Sequence, residues 1–142
     1  SLRAVVNLEN IGERLIKIDC DVIQADGGTR TASISGGYLA LYKSIEKLKR
    51  TYNISKPIIK EPVAAVSVGL IDSQPYLDLN FEEDSRAQVD ANFVICESNN
   101  IIEIQVTGEE YSFTDEQFQQ IFKLSKIGIS QIIKKQKETL NI

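Results

Sequence analysis

The chain has 142 residues, 42% of them hydrophobic and 25% charged, enough for one globular core and too few for two comfortable ones. Its 16 basic and 20 acidic side chains leave a formal net charge of −4, which argues against a protein that grips nucleic acid through one broad basic surface, so any contact of that kind has to be local or shared with other chains. With no His and only two Cys, neither having a second ligand at the right spacing, a zinc site is excluded.

In chain order, Leu2 to Leu8 (LRAVVNL) and Arg14 to Ile23 (RLIKIDCDVI) are rich in apolar and β-branched residues and are separated by Gly12, so they read as two strands. Gln24 to Gly28 breaks the pattern. From Thr29 the residues Ile34, Tyr38, Leu41 and Ile45 recur at helical spacing, predicting a helix to about Lys49 that tolerates Gly36 and Gly37. After Pro57 and Pro62, four strand-like runs follow: Ala64 to Ile71, Tyr76 to Asn80, Val89 to Cys96 and Ile101 to Val106. Asp72-Ser73 and Ser98-Asn99-Asn100 suit hairpin turns. A last helix starts near Asp115, with Phe118, Ile121, Phe122, Ile129, Ile132 and Ile133 along its apolar stripe and Thr114 with Gln117 as a capping box. Antiparallel strands grouped between helices predict one α+β domain over residues 1–142, its helices packed on the sheet.

Several segments outside this pattern carry expectations of their own. The basic runs Lys43 to Arg50 and Lys134 to Lys137 read as solvated faces of amphipathic helices, with an RNA footprint as the alternative. Cys20 and Cys96 each lie in an apolar run and read as buried, reduced thiols, which fits a cytoplasmic protein better than a disulfide framework. No apolar stretch approaches the roughly 20 residues that span a bilayer, and no signal peptide is visible. Because the sequence has no Met and begins directly on a strand-like run, it is expected to be a fragment, or else a protein processed at its N-terminus.

Three groups of residues offer chemistry. Gly28, Thr29 and Arg30, within Gly27 to Thr31 at a strand-to-helix junction, combine a backbone that lets an anion approach, the free N–H groups of a helix start, hydroxyl donors and a guanidinium fork. Phosphate or a phosphodiester fits such a junction, and so does an ordinary capped turn. Asp84 and Asp90 stand six residues apart in the run Glu82 to Asp90, a spacing that a bent link can close. Such a pair with open coordination positions suits Mg²⁺, although a solvated acidic loop has the same composition. Asp19, Asp21 and Asp26 form a third group that either lines a site or faces water.

Taken together, SLRAVVNLENIGERLIKIDCDVIQADGGTRTASISGGYLAL (Ser1 to Leu41), VAAVSVGLI (Val63 to Ile71), DLNFEEDSRAQVDANFV (Asp78 to Val94) and IIEIQVTGEE (Ile101 to Glu110) resemble ribonuclease PH, in the same order and over essentially the whole chain. That resemblance implies a fold like the second domain of ribosomal protein S5, in the C-terminal part of a catalytic subunit without its N-terminal half. It implies phosphate-dependent 3′ to 5′ trimming of tRNA 3′ ends with release of nucleoside diphosphates, in a hexameric ring of intact subunits. It places phosphate binding on Gly28, Thr29 and Arg30, and the catalytic, Mg²⁺-holding aspartates on Asp84 and Asp90. The resemblance implies glycines at the positions of Val106 and Glu110 and a small residue at that of Glu61. Two other readings share the fold: a non-catalytic subunit of an exosome-like ring, and a polynucleotide phosphorylase core. A strand starting at Ser1 would expose an apolar edge, so residues 1–142 alone are expected to self-associate and to show little activity until an N-terminal half is supplied.

Overall fold

Val63–Ile71 is apolar at nearly every position, and all nine of its residues are buried. A strand that is apolar on both faces needs cover on both, and the rest of the fold supplies it. The computed structural model describes residues 1–109 and 112–142. In it this strand, β1, lies inside a four-stranded antiparallel sheet of order β2-β1-β3-β4, with β2 at Gln74–Leu77, β3 at Val89–Cys96 and β4 at Ile101–Gly108. The α+β expectation holds.

Alternation along the strands sends each set of side chains to a different helix. Ala64, Val66, Val68 and Leu70 of β1 join Val89, Ala91, Phe93 and Ile95 of β3 beneath α4 (Asp115–Leu140), which contributes Ile121, Ile129 and Ile133. Val63 and Ala65 of β1 join Val94 and Cys96 of β3 on the opposite face, against Tyr38 of α2 (Thr29–Tyr52). The two helices meet beyond the first residue of β1, where the buried Gln136 donates from Nε2 to the carbonyls of Ser35 and Val63, both at 3.0 Å.

The local signals in this region are realised. Asp72 and Ser73 both have positive φ, 50° and 62°, the backbone of a two-residue hairpin turn that follows the twist of its strands. Thr114 and Gln117 form the reciprocal capping box at the start of α4. Val106, where the resemblance leads one to expect glycine, is paired with Ala91 within β4 and packs against the α4-side core, so that position makes no demand for a left-handed backbone. Glu110 lies outside the described residues. Glu61 accepts the N–H of Ser98 at 2.9 Å, a use for its side chain at the β3–β4 turn.

The two N-terminal strands are not formed. Leu2–Val5 is a 3₁₀ turn, Leu8–Ile11 is a single helical turn, α1, and residues 14–23 have no regular structure. A strand needs a ladder partner to satisfy its N–H and C=O groups. Among the described residues this region makes one isolated bridge, Val6 with Ile59. Ile16 and Ile18 still pack against the cluster around Leu41 and Ile45, whereas Leu15 is 92% and Ile23 99% exposed.

Cys20, on this segment, is exposed rather than buried, while Cys96 is buried in the sheet. Burial, reinforced by the negative Glu61, pushes the Cys96 thiol up to about 11, and the thiolate is the reactive form. Of the two, a maleimide at neutral pH is therefore expected to modify Cys20 alone. Peptide mapping checks this, and equal labelling of Cys96 in the native state would contradict the packing of β3. No helix among the described residues is long and apolar enough to cross a membrane.

Candidate active site

Beyond the N-terminus of α2, the α2-side face of the sheet changes from apolar to polar. The register pairs Ser67 with Asn92 and Gly69 with Asp90, and then Asp90 with Thr107, Asn92 with Gln105 and Val94 with Glu103. Cross-strand partners share a face, so Ser67, Asp90, Asn92, Glu103, Gln105 and Thr107 form one polar floor. The first turn of α2 sits over it.

That turn is built to remain open. Gly28 is the N-cap residue, at φ 69°, a left-handed conformation that glycine adopts without penalty. No side chain caps the first-turn amides and no acidic residue lies among them, which leaves N–H groups and a partial positive charge facing outward. The hydroxyls are committed elsewhere: Thr29 Oγ1 donates to the Asp26 carbonyl at 3.0 Å and Thr31 Oγ1 to the Gly28 carbonyl at 2.8 Å. An anion here meets backbone amides rather than threonine hydroxyls. Against the floor, the buried Ser67 Oγ has no hydrogen-bond partner among the described residues. It lies 3.2 Å from the point a Cβ on Gly28 would occupy.

Arg30 does not hang free beside the loop. Its Nη2 donates to the Glu103 carboxylate on β4, and that bond holds the Glu103 carboxyl below the usual range, with help from Ser1. The guanidinium is thus already engaged with an oxyanion, on the same face as the floor.

The acidic run folds as the bent link its spacing requires. Asn80 caps a single turn, α3 (Phe81–Asp84), in a reciprocal capping box with Glu83, after which Gln88 donates to the Leu70 carbonyl at 2.7 Å and β3 begins. Asp84 and Asp90 line one pocket of about 450 Å³ together with Gln88 and Glu109. Burial pushes the Asp90 carboxyl above its ordinary value, and the negative charges of Asp84 and then Glu109 add to it. Excess negative charge in a half-buried pocket is relieved by a cation. Among the described residues no cluster of three or more acidic, Cys or His side chains cages a metal. Two carboxylates with room for water and a phosphate oxygen are the donor set that Mg²⁺ accepts, so the residues present fit that ion.

The third acidic group separates. Asp19 pairs with Lys17 at 3.3 Å in the exposed segment and Asp21 is exposed, whereas Asp26 binds backbone on both sides of the site. The roles of Asp26, Ser67 and Glu103 escaped the sequence reading. A lone hydroxyl in an otherwise apolar buried strand was the available signal for Ser67.

The sequence around this site is similar to known proteins. Residues 61–128, from just before β1 to the middle of α4, match the 3′ exoribonuclease family, domain 2. Across 141 residues, 99% of this chain and 56% of the relative, the sequence is 51% identical to ribonuclease PH of Corynebacterium kroppenstedtii. Against ribonuclease PH of Corynebacterium efficiens it is 51% identical over 142 residues, 100% of this chain and 58% of that one. The chain belongs to the ribonuclease PH family, matching its C-terminal part, and spans a little over half the length of those curated relatives. Its fold is similar to that of Rrp46 from rice (Oryza sativa), with a TM-score of 0.68 at 19% identity, over 85% of this chain and 52% of the other.

Proposed function

We propose that the polypeptide carrying this chain is a phosphate-dependent 3′ to 5′ exoribonuclease that trims tRNA 3′ ends and releases nucleoside diphosphates. The observation that carries this reading is the open first turn of α2, over a polar sheet face that also bears Asp90. The similarity to two proteins named ribonuclease PH supports it. In the reaction, an oxygen of inorganic phosphate attacks the terminal phosphodiester, the bond to the preceding ribose O3′ breaks, and that oxygen leaves as the new 3′ hydroxyl with the proton the attacking hydrogenphosphate gives up. The chain's part is to hold two anions at reacting distance.

The amides of Gly28 and Thr29 bind and orient the attacking phosphate, and Ser67 Oγ supplies a spare donor at the base of the turn. Arg30 exchanges the Glu103 carboxylate for a phosphate oxygen, one charge-assisted partner for another. Asp84 and Asp90 would hold Mg²⁺, which when bound would neutralise charge developing on the transferred phosphoryl group. The net charge of −4 fits RNA being held by several chains together, and a hexameric ring of subunits in the cytoplasm belongs to the same proposal.

The test is a short RNA ending in CCA, incubated with the full polypeptide that carries this sequence. Release of nucleoside diphosphate that requires both phosphate and Mg²⁺ is the expected result. Release of nucleoside monophosphate independent of phosphate would replace phosphorolysis by hydrolysis. No release from a ring of normal mass in sedimentation would favour a non-catalytic subunit.

A further inference from the structure

Asp26 is exposed and sits just before the anion-binding turn, yet its bonds run to both halves of the candidate site. Its Oδ1 accepts the N–H of Gly27 at 2.9 Å and the N–H of Phe81 at 2.7 Å, and its main-chain carbonyl accepts Thr29 Oγ1. Phe81 opens α3, and Asp84 closes it. Among the described residues no other hydrogen bond joins residues 26–30 to residues 78–90. The backbones also touch here, since a Cβ at Gly27 would lie 1.8 Å from the Leu79 carbonyl oxygen.

We infer that Asp26 is a positioning residue: one carboxylate oxygen ties the phosphate-binding turn of α2 to the helical turn carrying Asp84, so that anion and metal-binding groups move as one piece. A carboxylate suits the task because one of its oxygens accepts two N–H bonds at once, each strengthened by its charge. Without the tether each half still folds on its own bonds, the turn through Thr29 and Thr31 and α3 through its Asn80 and Glu83 capping box. What is lost is their mutual placement, on which in-line attack depends. The inference rests on the proposed function for its kinetic consequence but not for the tether itself.

The experiment compares Asp26→Ala with Asp26→Asn in the full polypeptide, the second keeping an amide oxygen where Oδ1 stands. In Asp26→Ala the KM for phosphate is expected to rise and kcat to fall, each by about tenfold, as for a lost charge-assisted partner. Asp26→Asn is expected to restore both to within about threefold. Hydrogen exchange at the Gly27 and Phe81 amides should quicken together in Asp26→Ala and return towards the parent rate in Asp26→Asn. Parental kinetics and unchanged exchange in Asp26→Ala would overturn the tether, and equal losses in both variants would replace positioning by a direct role of the charge. If the unsubstituted protein shows no phosphate-dependent turnover, the proposed function fails, while exchange at Gly27 and Phe81 still decides whether Asp26 couples the two segments.

Discussion

Asp90→Asn is expected to lower phosphate-dependent turnover by at least about 10²-fold, the scale on which removing one preorganised electrostatic partner of a transition state acts. The substitution keeps the shape of the side chain and removes its charge, so the loss falls on cation binding rather than on packing. The fold itself should not suffer. Burial and the neighbouring charges of Asp84 and Glu109 all oppose a negative Asp90, and in the absence of a divalent ion the neutral amide removes that repulsion. Without Mg²⁺, thermal unfolding of Asp90→Asn should therefore occur at or above the parent midpoint, and added Mg²⁺ should raise the parent's midpoint more than the variant's. Residues at functional sites commonly reduce stability in this way. A variant that keeps full turnover would remove Asp90 from the site, and one that loses activity only because it unfolds would make its role structural.

What could be read in the sequence is what neighbouring residues decide among themselves. The helical spacing from Ile34 to Ile45, the unbroken apolar run of β1 and the Thr114 capping box depend on contacts that the pattern itself supplies, and α2, β1, β3 and α4 form where they were expected. Leu2 to Leu8 and Arg14 to Ile23 carry an equally strong strand composition, but composition cannot provide a ladder partner. The same reasoning separates the parts of the site. A Gly-Gly-Thr-Arg junction and two aspartates six apart are visible locally as candidates, but an ordinary capped turn and a solvated acidic loop look the same there, and the family resemblance is what singles these residues out. The partner of Arg30 lies 73 residues away on β4, and the partner of Asp26 lies 55 residues away at the start of α3. Neither pairing leaves a periodic trace, so Asp26 was grouped with Asp19 and Asp21, whose surroundings it does not share.

Gly27→Ala is expected to have the largest effect on stability of any single methyl group added to the site. The new Cβ would fall 1.8 Å from the Leu79 carbonyl oxygen, 2.7 Å from the Leu79 carbonyl carbon and 2.9 Å from that of Asn80. All three are backbone atoms, and Leu79 is itself buried, so no side chain can swing away to make room. Either residues 26–28 lift from the sheet or the segment before α3 shifts, and each movement strains the bond from Phe81 N–H to Asp26. Overpacking against fixed neighbours costs about 3 kcal/mol at its upper end, which for a chain of this length is a fall of roughly 10 °C in Tm. Gly36→Ala provides the contrast within the same helix region. Nothing lies within 4 Å of its added Cβ, it sits inside α2, and alanine should stabilise the helix there by about 0.5 to 1 kcal/mol. Calorimetry of the two variants should thus move Tm in opposite directions. A Gly27→Ala protein that melts with the parent would mean that the turn does not lie against Leu79, and the shared frame of the phosphate turn and the aspartate pair would have to be abandoned.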